Sequence, residues 1–169
     1  MIWVSGVEVG VLRGGNAARL LEHHPHLHLH LVDLWQPQPV GERYHRSGDV
    51  HSRWTVDDWR VIWESAYRNL RPHFGRWQIH QGDSTRCARR FDDRSVDFVF
   101  IDADHTYEGC LADIKTWAPK VKPGGWIGGH DYGHANKRWG VKRAVDQWAA
   151  KCGRSVSCDK DLTWFVALP

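Results

Sequence analysis

Short apolar stretches alternate along most of the chain with longer segments of helical period. VSGVEVGV opens the series, and GGNAARLLEHH follows it with a 3.6-residue rhythm until Pro25 stops the helix. LHLHLVD is the second stretch of strand length, RWQIHQGDS the third, DFVFID the fourth and GGWIGGHD the fifth. Between and after them lie three more helical segments, TVDDWRVIWESAYRNL, TYEGCLADIKTWAPKV and WGVKRAVDQWAAK. Thr55 stands at the start of the first of these with Asp58 three residues on, close to a capping box. The tail RSVSCDKDLTWFVAL reads as two strands joined by the polar turn DKD, an antiparallel hairpin at the sheet edge. This alternation is the mark of βαβ units. It predicts an α/β, Rossmann-like doubly wound sheet of seven strands, mostly parallel, with an antiparallel C-terminal hairpin strand.

One stretch breaks the rhythm. QPQPVGERYHRSGDVHSR is too long for an ordinary strand-to-helix turn and is rich in Pro, Gly and charge, so residues 35–54 read as either a lid-like insertion or a mobile loop. Length sharpens the picture further: 169 residues, 41% of them apolar, suit one domain over residues 1–169 with a sizeable core and leave no room for a second. The net charge of +3 is carried by scattered Lys and Arg, with no basic block of the kind that tracks nucleic acid. The four cysteines, Cys87, Cys110, Cys152 and Cys158, show no C-x-x-C spacing and read as reduced thiols. No signal-peptide pattern and no apolar run of membrane-spanning length is present, which gives the expectation of a soluble, cytoplasmic protein. Eleven tryptophans are many for this length, and those beside polar turns are expected to line a cleft.

Chemistry should sit beyond the carboxyl ends of the parallel strands, where strand order reverses. The first strand runs into Glu8 and Gly10, with Gly14 and Gly15 opening a helix whose free N–H groups face a ligand. The spacing is neither the dinucleotide fingerprint nor the Walker pattern, so pyrophosphate binding is disfavoured. Asp33 at the tip of the second strand is placed to accept from two ribose hydroxyls. Asp83 and Ser84 in GDS reach the rim of the same crevice, or form an Asx turn that caps the next helix. DFVFIDADHTYEG then sets Asp102 and Asp104 at the end of the fourth strand, and GGHDY sets His130 and Asp131 at the end of the fifth. Carboxylates converging in this way repel unless a cation or a proton joins them, and a hard divalent ion such as Mg²⁺ is a natural occupant. Asp104 either belongs to this set or caps the helix that begins near Thr106.

In this order and at these strand ends, VEVGVLRGGNA, Asp33, GDS, DFVFIDADHTYEG, KPGGWIGGHDY and GVKRAVDQW resemble the class I S-adenosylmethionine-dependent methyltransferases. The likeness runs from Val7 to Trp148, and within the class it is to small-molecule O-methyltransferases of the catechol, caffeoyl-CoA and macrolide-sugar types. The resemblance implies S-adenosyl-L-methionine as cofactor. The loop of Glu8, Gly10, Gly14, Gly15 and Asn16 would hold its methionine part, Asp33 and Leu34 its ribose, and Gly82, Asp83 and Ser84 its adenine, with Asp102 and Asp104 closing the site. It also implies a divalent metal, Mg or Mn, held by Asp102, His130 and Asp131. His130 stands where relatives carry Asp or Glu, and an imidazole suits Mn²⁺, Fe²⁺ or Zn²⁺ better than Mg²⁺.

His105, three residues after Asp102, occupies the position where such relatives place a Lys or His that takes the acceptor's hydroxyl proton. The expected catalytic set is His105, Asp102 and Asp131, acting on a small hydroxylated acceptor. A second departure is that the chain begins almost on the first strand, where many relatives carry covering helices. The segment from Trp35 to Trp54, with Tyr44, His45, His51 and Arg53, is the candidate cover and acceptor surface. A nucleic-acid methyltransferase is the weaker alternative, because the chain has no N-P-P-Y-like tetrad and no basic stripe. A cofactor-binding module without catalysis would need none of His105, Asp102 and Asp131. His26, His28 and His30 alternate along the body of the second strand, away from its ligand end, and are read as packing or surface residues and not as a zinc site. His134 is close enough to the site to touch an acceptor. The hairpin edge makes a homodimer a candidate assembly.

Overall fold

The computed structural model describes residues 3–169. A seven-stranded sheet in the order β3-β2-β1-β4-β5-β7-β6 forms its centre. The strands are β1 (Ser5–Val9), β2 (His28–Asp33), β3 (Trp77–Gln81), β4 (Val96–Ile101), β5 (Val121–Gly129), β6 (Ser157–Cys158) and β7 (Trp164–Ala167). β1 to β5 pair in parallel, whereas β7 runs antiparallel to both β5 and β6. This is the seven-stranded, mostly parallel architecture that the apolar runs predict, and the hairpin of the tail closes the sheet at β6.

Helices cover both faces: α1 (Gly15–His23), α2 (Arg43–Arg46), α3 (Val56–Leu70), α4 (Ser84–Cys87), α5 (Tyr107–Trp117) and α6 (Val141–Lys151). One core cluster packs β1, β4, β5 and β7 against α5 and α6 around Ile114, Trp117, Val145 and Trp164. The other packs β2 against α1 and α3 around Leu21, Leu29, Leu31, Ile62 and Leu70. Because helices bury both faces, central strands such as VDFVFI read as near-continuous apolar runs. Thr55 and Asp58 form the full capping box at the start of α3.

Two boundaries differ from the periodicity. α5 ends at Trp117 and passes into a 3₁₀ turn over Ala118–Lys120, because Pro119 cannot continue the helix. β5 begins three residues earlier than GGW suggests and ends at Gly129, so His130 and Asp131 lie just past the strand. The segment between β2 and α3 is structured: α2 and a 3₁₀ turn over Val50–Arg53 lie within it, and Ser47, Asp49 and Ser52 are buried. Among the described residues no helix is long and apolar enough to cross a membrane.

Strand order reverses between β1 and β4. β1 pairs with β2 on one side and β4 on the other, so the connections that leave their carboxyl ends diverge and open a crevice.

Candidate active site

That crevice is a cleft of about 780 Å³. Of the residues expected in the site, all except Gly14 and His130 line it. Gly14 instead forms the left-handed N-cap of α1, at φ 69°.

Glu8 points opposite to Val7 and Val9, which lie in the core, and so faces the cleft floor. It is only 2% exposed. Its Oε1 accepts from Asn16 Nδ2 at 3.3 Å, while Oε2 is buried with no partner. Burial pushes its carboxyl up to about 8, against the bond from Asn16.

Gly10 lines the cleft and also has a part in the fold. At φ 86°, a Cβ there would lie 2.1 Å from the Asp102 carbonyl oxygen, so the bare glycine lets the ends of β1 and β4 meet. Asp102 N–H continues the ladder by donating to the Val9 carbonyl at 2.7 Å.

Asp33 shapes the loop above it. Its Oδ2 accepts from the backbone N–H groups of Val11 and Leu12 at 2.8 and 2.9 Å, and its Oδ1 from that of Trp35 at 2.9 Å. Asp83 caps α4 by accepting from Arg86 N–H at 3.0 Å, the Asx-turn alternative, and it still lines the cleft. Beside it stands a residue the sequence did not single out, Asp113 on α5. Burial pushes this carboxyl up to about 7, against a bond from Ser84.

At the β4 and β5 ends the acidic groups gather around one imidazole. His105 Nε2 lies 3.2 Å from Asp102 Oδ1 and 3.1 Å from Asp131 Oδ2. Its Nδ1 lies 3.0 Å from Oδ2 of Asp49. The ring stacks on Trp139 at 4.1 Å, and Trp139 stacks in turn on His134 at 4.2 Å. Burial alone would lower the imidazole's pKa, but the bonds to Asp102, Asp131 and Asp49 raise it to about 11. The ring is therefore an imidazolium when nothing else neutralises the carboxylates. The side chain of His130 does not line the cleft; its Nδ1 lies 3.4 Å from Asp131 Oδ1. Among the described residues the grouping of metal-ligating atoms is thus Asp102, His105 and Asp131, all within 4.8 Å of one another. His30 pairs with His80 at 3.0 Å and belongs to no such grouping.

Asp49 is a second cleft residue that the sequence does not single out. Burial would raise its pKa, but bonds from His105 and His51 hold it well below the usual carboxylate range. Asp104 accepts from Thr106 N–H at 2.9 Å and from Arg43 Nη2 at 2.8 Å; it does not cap α5, whose N-cap is Thr106 itself, with Oγ1 accepting from Gly109 N–H at 3.1 Å. Two charged contacts, Asp49 to His105 and Arg43 to Asp104, hence tie the segment after β2 to the loop after β4.

A model of the family described as "Methyltransferase domain" matches residues 7–132. The chain belongs to this family. The 3-2-1-4-5-7-6 sheet with its cleft at the β1/β4 reversal is accordingly the fold of an S-adenosylmethionine-dependent methyltransferase. Solved structures share it. The O-methyltransferase NovP is 22% identical with a TM-score of 0.74, over 99% of this chain and 72% of that one. The calicheamicin methyltransferase CalS11 is 14% identical with a TM-score of 0.66, over 96% and 71%. An O-methyltransferase from Bacillus cereus, solved in complex with S-adenosylhomocysteine, is 16% identical with a TM-score of 0.65, over 98% and 73%. No curated protein matches the chain.

Proposed function

We propose that this methyltransferase domain moves the methyl group of S-adenosylmethionine to a hydroxyl of a small acceptor, at the end of the cleft marked by Asp102, His105 and Asp131. The observation that carries the reading is the placement, on one cleft, of a buried carboxylate without a partner and a carboxylate–imidazole cluster. Oε2 of Glu8 lacks a donor, and the cofactor's methionine part is cationic, so the two are complementary. Asp33 and the Gly82–Ser84 turn lie farther along the same wall, as the ribose and adenine require. The solved structures similar in fold are named as O-methyltransferases in two of the three cases above.

The reaction is an in-line displacement. The acceptor oxygen bonds to the methyl carbon as the carbon–sulfur bond breaks, the sulfur keeps the electron pair, and the hydroxyl proton must leave. Alignment of oxygen, carbon and sulfur is worth several powers of ten in rate. The carboxylates of Asp102 and Asp131 receive the proton, since the His105 ring that orients them is already protonated in the free site, and Trp139 fixes the plane of the imidazole. A divalent ion suits the carboxylates of Asp102 and Asp131, and when bound it would lower the hydroxyl's pKa. A second cleft of about 830 Å³ shares Asp131 and Trp139 with the first and gives the acceptor its approach. The segment 35–54 acts as the lid over the cofactor.

Calorimetric titration of the metal-stripped protein with S-adenosylhomocysteine, followed by transfer of labelled methyl to a panel of catechols, sugars and RNA, tests this. Expected are binding that Asp33→Ala weakens at least about tenfold as the β1–α1 loop loses its anchor, transfer to a phenol or sugar, and loss of turnover in His105→Ala with cofactor affinity kept. Failure of the wild type to bind the homocysteine product overturns the reading. Binding with no transfer to any acceptor leaves a binding module in its place.

A further inference from the structure

We infer that Asp49, carried on the segment between β2 and α3, is the positioning residue of a divalent-metal site made by Asp102, His105 and Asp131, and that His130 has no part in it. The inference rests on the methyltransferase reading and concerns the metal end of that same site.

The argument begins with the ring. An imidazole ligates through one nitrogen, and which nitrogen is free depends on the bond the other makes. His105 Nδ1 lies 3.0 Å from Asp49 Oδ2, so Nδ1 carries the hydrogen and donates it. Nε2 is left facing Asp102 and Asp131 at 3.2 and 3.1 Å, with a lone pair available once its proton is displaced. A metal-ligating histidine that hands its other N–H to a carboxylate is the general arrangement that fixes ring orientation and raises ligand basicity.

Charge supports the same assignment. Three carboxylates converge on one ring, and a divalent ion offsets more of their charge than a single proton does. A set of two carboxylates and an imidazole suits Mn²⁺ or Fe²⁺ better than Mg²⁺.

Asp49 itself is held as a positioning group must be. Its N–H donates to Ser47 Oγ at 3.1 Å, and its carbonyl accepts from Ser52 Oγ at 2.5 Å. Its Oδ1 accepts from His51 N–H at 2.9 Å and lies 3.1 Å from His51 Nδ1. Both serines and the carboxylate are buried. The carboxylate therefore reaches His105 only while this segment is docked, and ion binding and docking favour one another.

His130 departs from this geometry. Its ring does not line the cleft, it reaches only Asp131 Oδ1, at 3.4 Å, and it falls outside the grouping of Asp102, His105 and Asp131.

The test is Mn²⁺ binding to the metal-stripped full chain, read from the spin-resonance signal of free Mn²⁺, with S-adenosylhomocysteine affinity measured in parallel. Asp49→Asn keeps the oxygen that caps His51 and removes the charge. It should weaken Mn²⁺ about 10- to 100-fold while S-adenosylhomocysteine affinity falls no more than about fivefold. His105→Gln should weaken Mn²⁺ at least as much, and His130→Asn should leave it within about threefold. Three results overturn the inference: wild type that takes up no Mn²⁺, an ion site lost in His130→Asn but kept in Asp49→Asn, or Asp49→Asn weakening both ligands equally. None of them touches the methyltransferase reading while the wild type still binds the homocysteine product.

Discussion

Glu8 is enclosed with one oxygen bonded to Asn16 and the other bonded to nothing, and its carboxyl is pushed by burial up to about 8 from an ordinary 4.5. At neutral pH the free protein therefore holds it as the acid, whereas a cationic cofactor requires the carboxylate. The sign follows. Cofactor affinity should rise with pH until about 8 and then level, and below that pH binding should release a proton, visible as heats that change with the ionisation enthalpy of the buffer. Glu8→Gln should abolish the proton release and weaken S-adenosylmethionine about 10- to 100-fold, the worth of a charged hydrogen bond. The sulfonium-free product should lose less. A raised carboxyl also contributes stability that is complete below about 4.5 and lost as pH rises through about 8, so the Gln variant should flatten that decline in the free protein. Glu8 could be read from the sequence because it ends an apolar strand. Asp49 could not, because it lies in a polar segment without period, and only the buried serines at 47 and 52 mark that stretch as ordered. The different placement of His130 and Asp131 is not legible in the sequence, because both lie past the end of β5 and Asp131 takes a left-handed backbone at φ 63°.

Elements were legible where burial is two-sided. VDFVFI is a strand whose faces are both largely buried, HLHLVD alternates buried apolar residues with His28 and His30 on a more open face, and α3 begins where its capping box says. The histidines of β2 were legible as to place and not as to partner, since the register that sets His30 beside His80 depends on β3 pairing with β2. The pair makes a testable statement about those two strands. Burial lowers the pKa of both imidazoles, so the fold favours them neutral. Their contribution to stability is present above the unfolded value of about 6.5 and is lost as pH falls below it. Glu8 and Asp113 act in the opposite direction over the same range, which masks the effect in wild type alone. Comparison removes the mask: the difference in melting temperature between wild type and His80→Gln, measured from pH 7.5 to about 5, should shrink as pH falls. A constant difference would mean that the imidazoles stay protonated or water-exposed in the fold.

At the scale of the molecule, the position of the cleft was legible before its cover was. A doubly wound sheet must open where its connections diverge, and the acidic strand ends fall there. The segment between β2 and α3 is legible only as an irregular insertion: Trp35 and Trp54 anchor its two ends in the core beside α3, but what docks its middle is a pair of long-range charged contacts. This makes the middle separable from the fold, and its grip can be estimated. Arg43 donates to Asp104 through Nε at 3.1 Å and Nη2 at 2.8 Å, both to the same oxygen, with half of the arginine exposed to water. Such a contact is worth roughly 0.2–1 kcal/mol. Removing it should loosen the cover without disturbing the cleft wall, since Asp104 keeps its bond from Thr106 N–H. Arg43→Ala should therefore raise the dissociation rate of S-adenosylhomocysteine about 2- to 5-fold and leave the association rate nearly unchanged. Trp59, which lines the cleft, and Trp54, which packs against it at 5.3 Å, report the exchange in a stopped-flow fluorescence experiment. High salt should bring the wild-type rate toward that of the variant, because an exposed ion pair is screened while the buried contact of Asp49 with His105 is not. If both rates keep their values in Arg43→Ala, the segment is fixed wall and not cover, and the cofactor leaves by another side of the cleft.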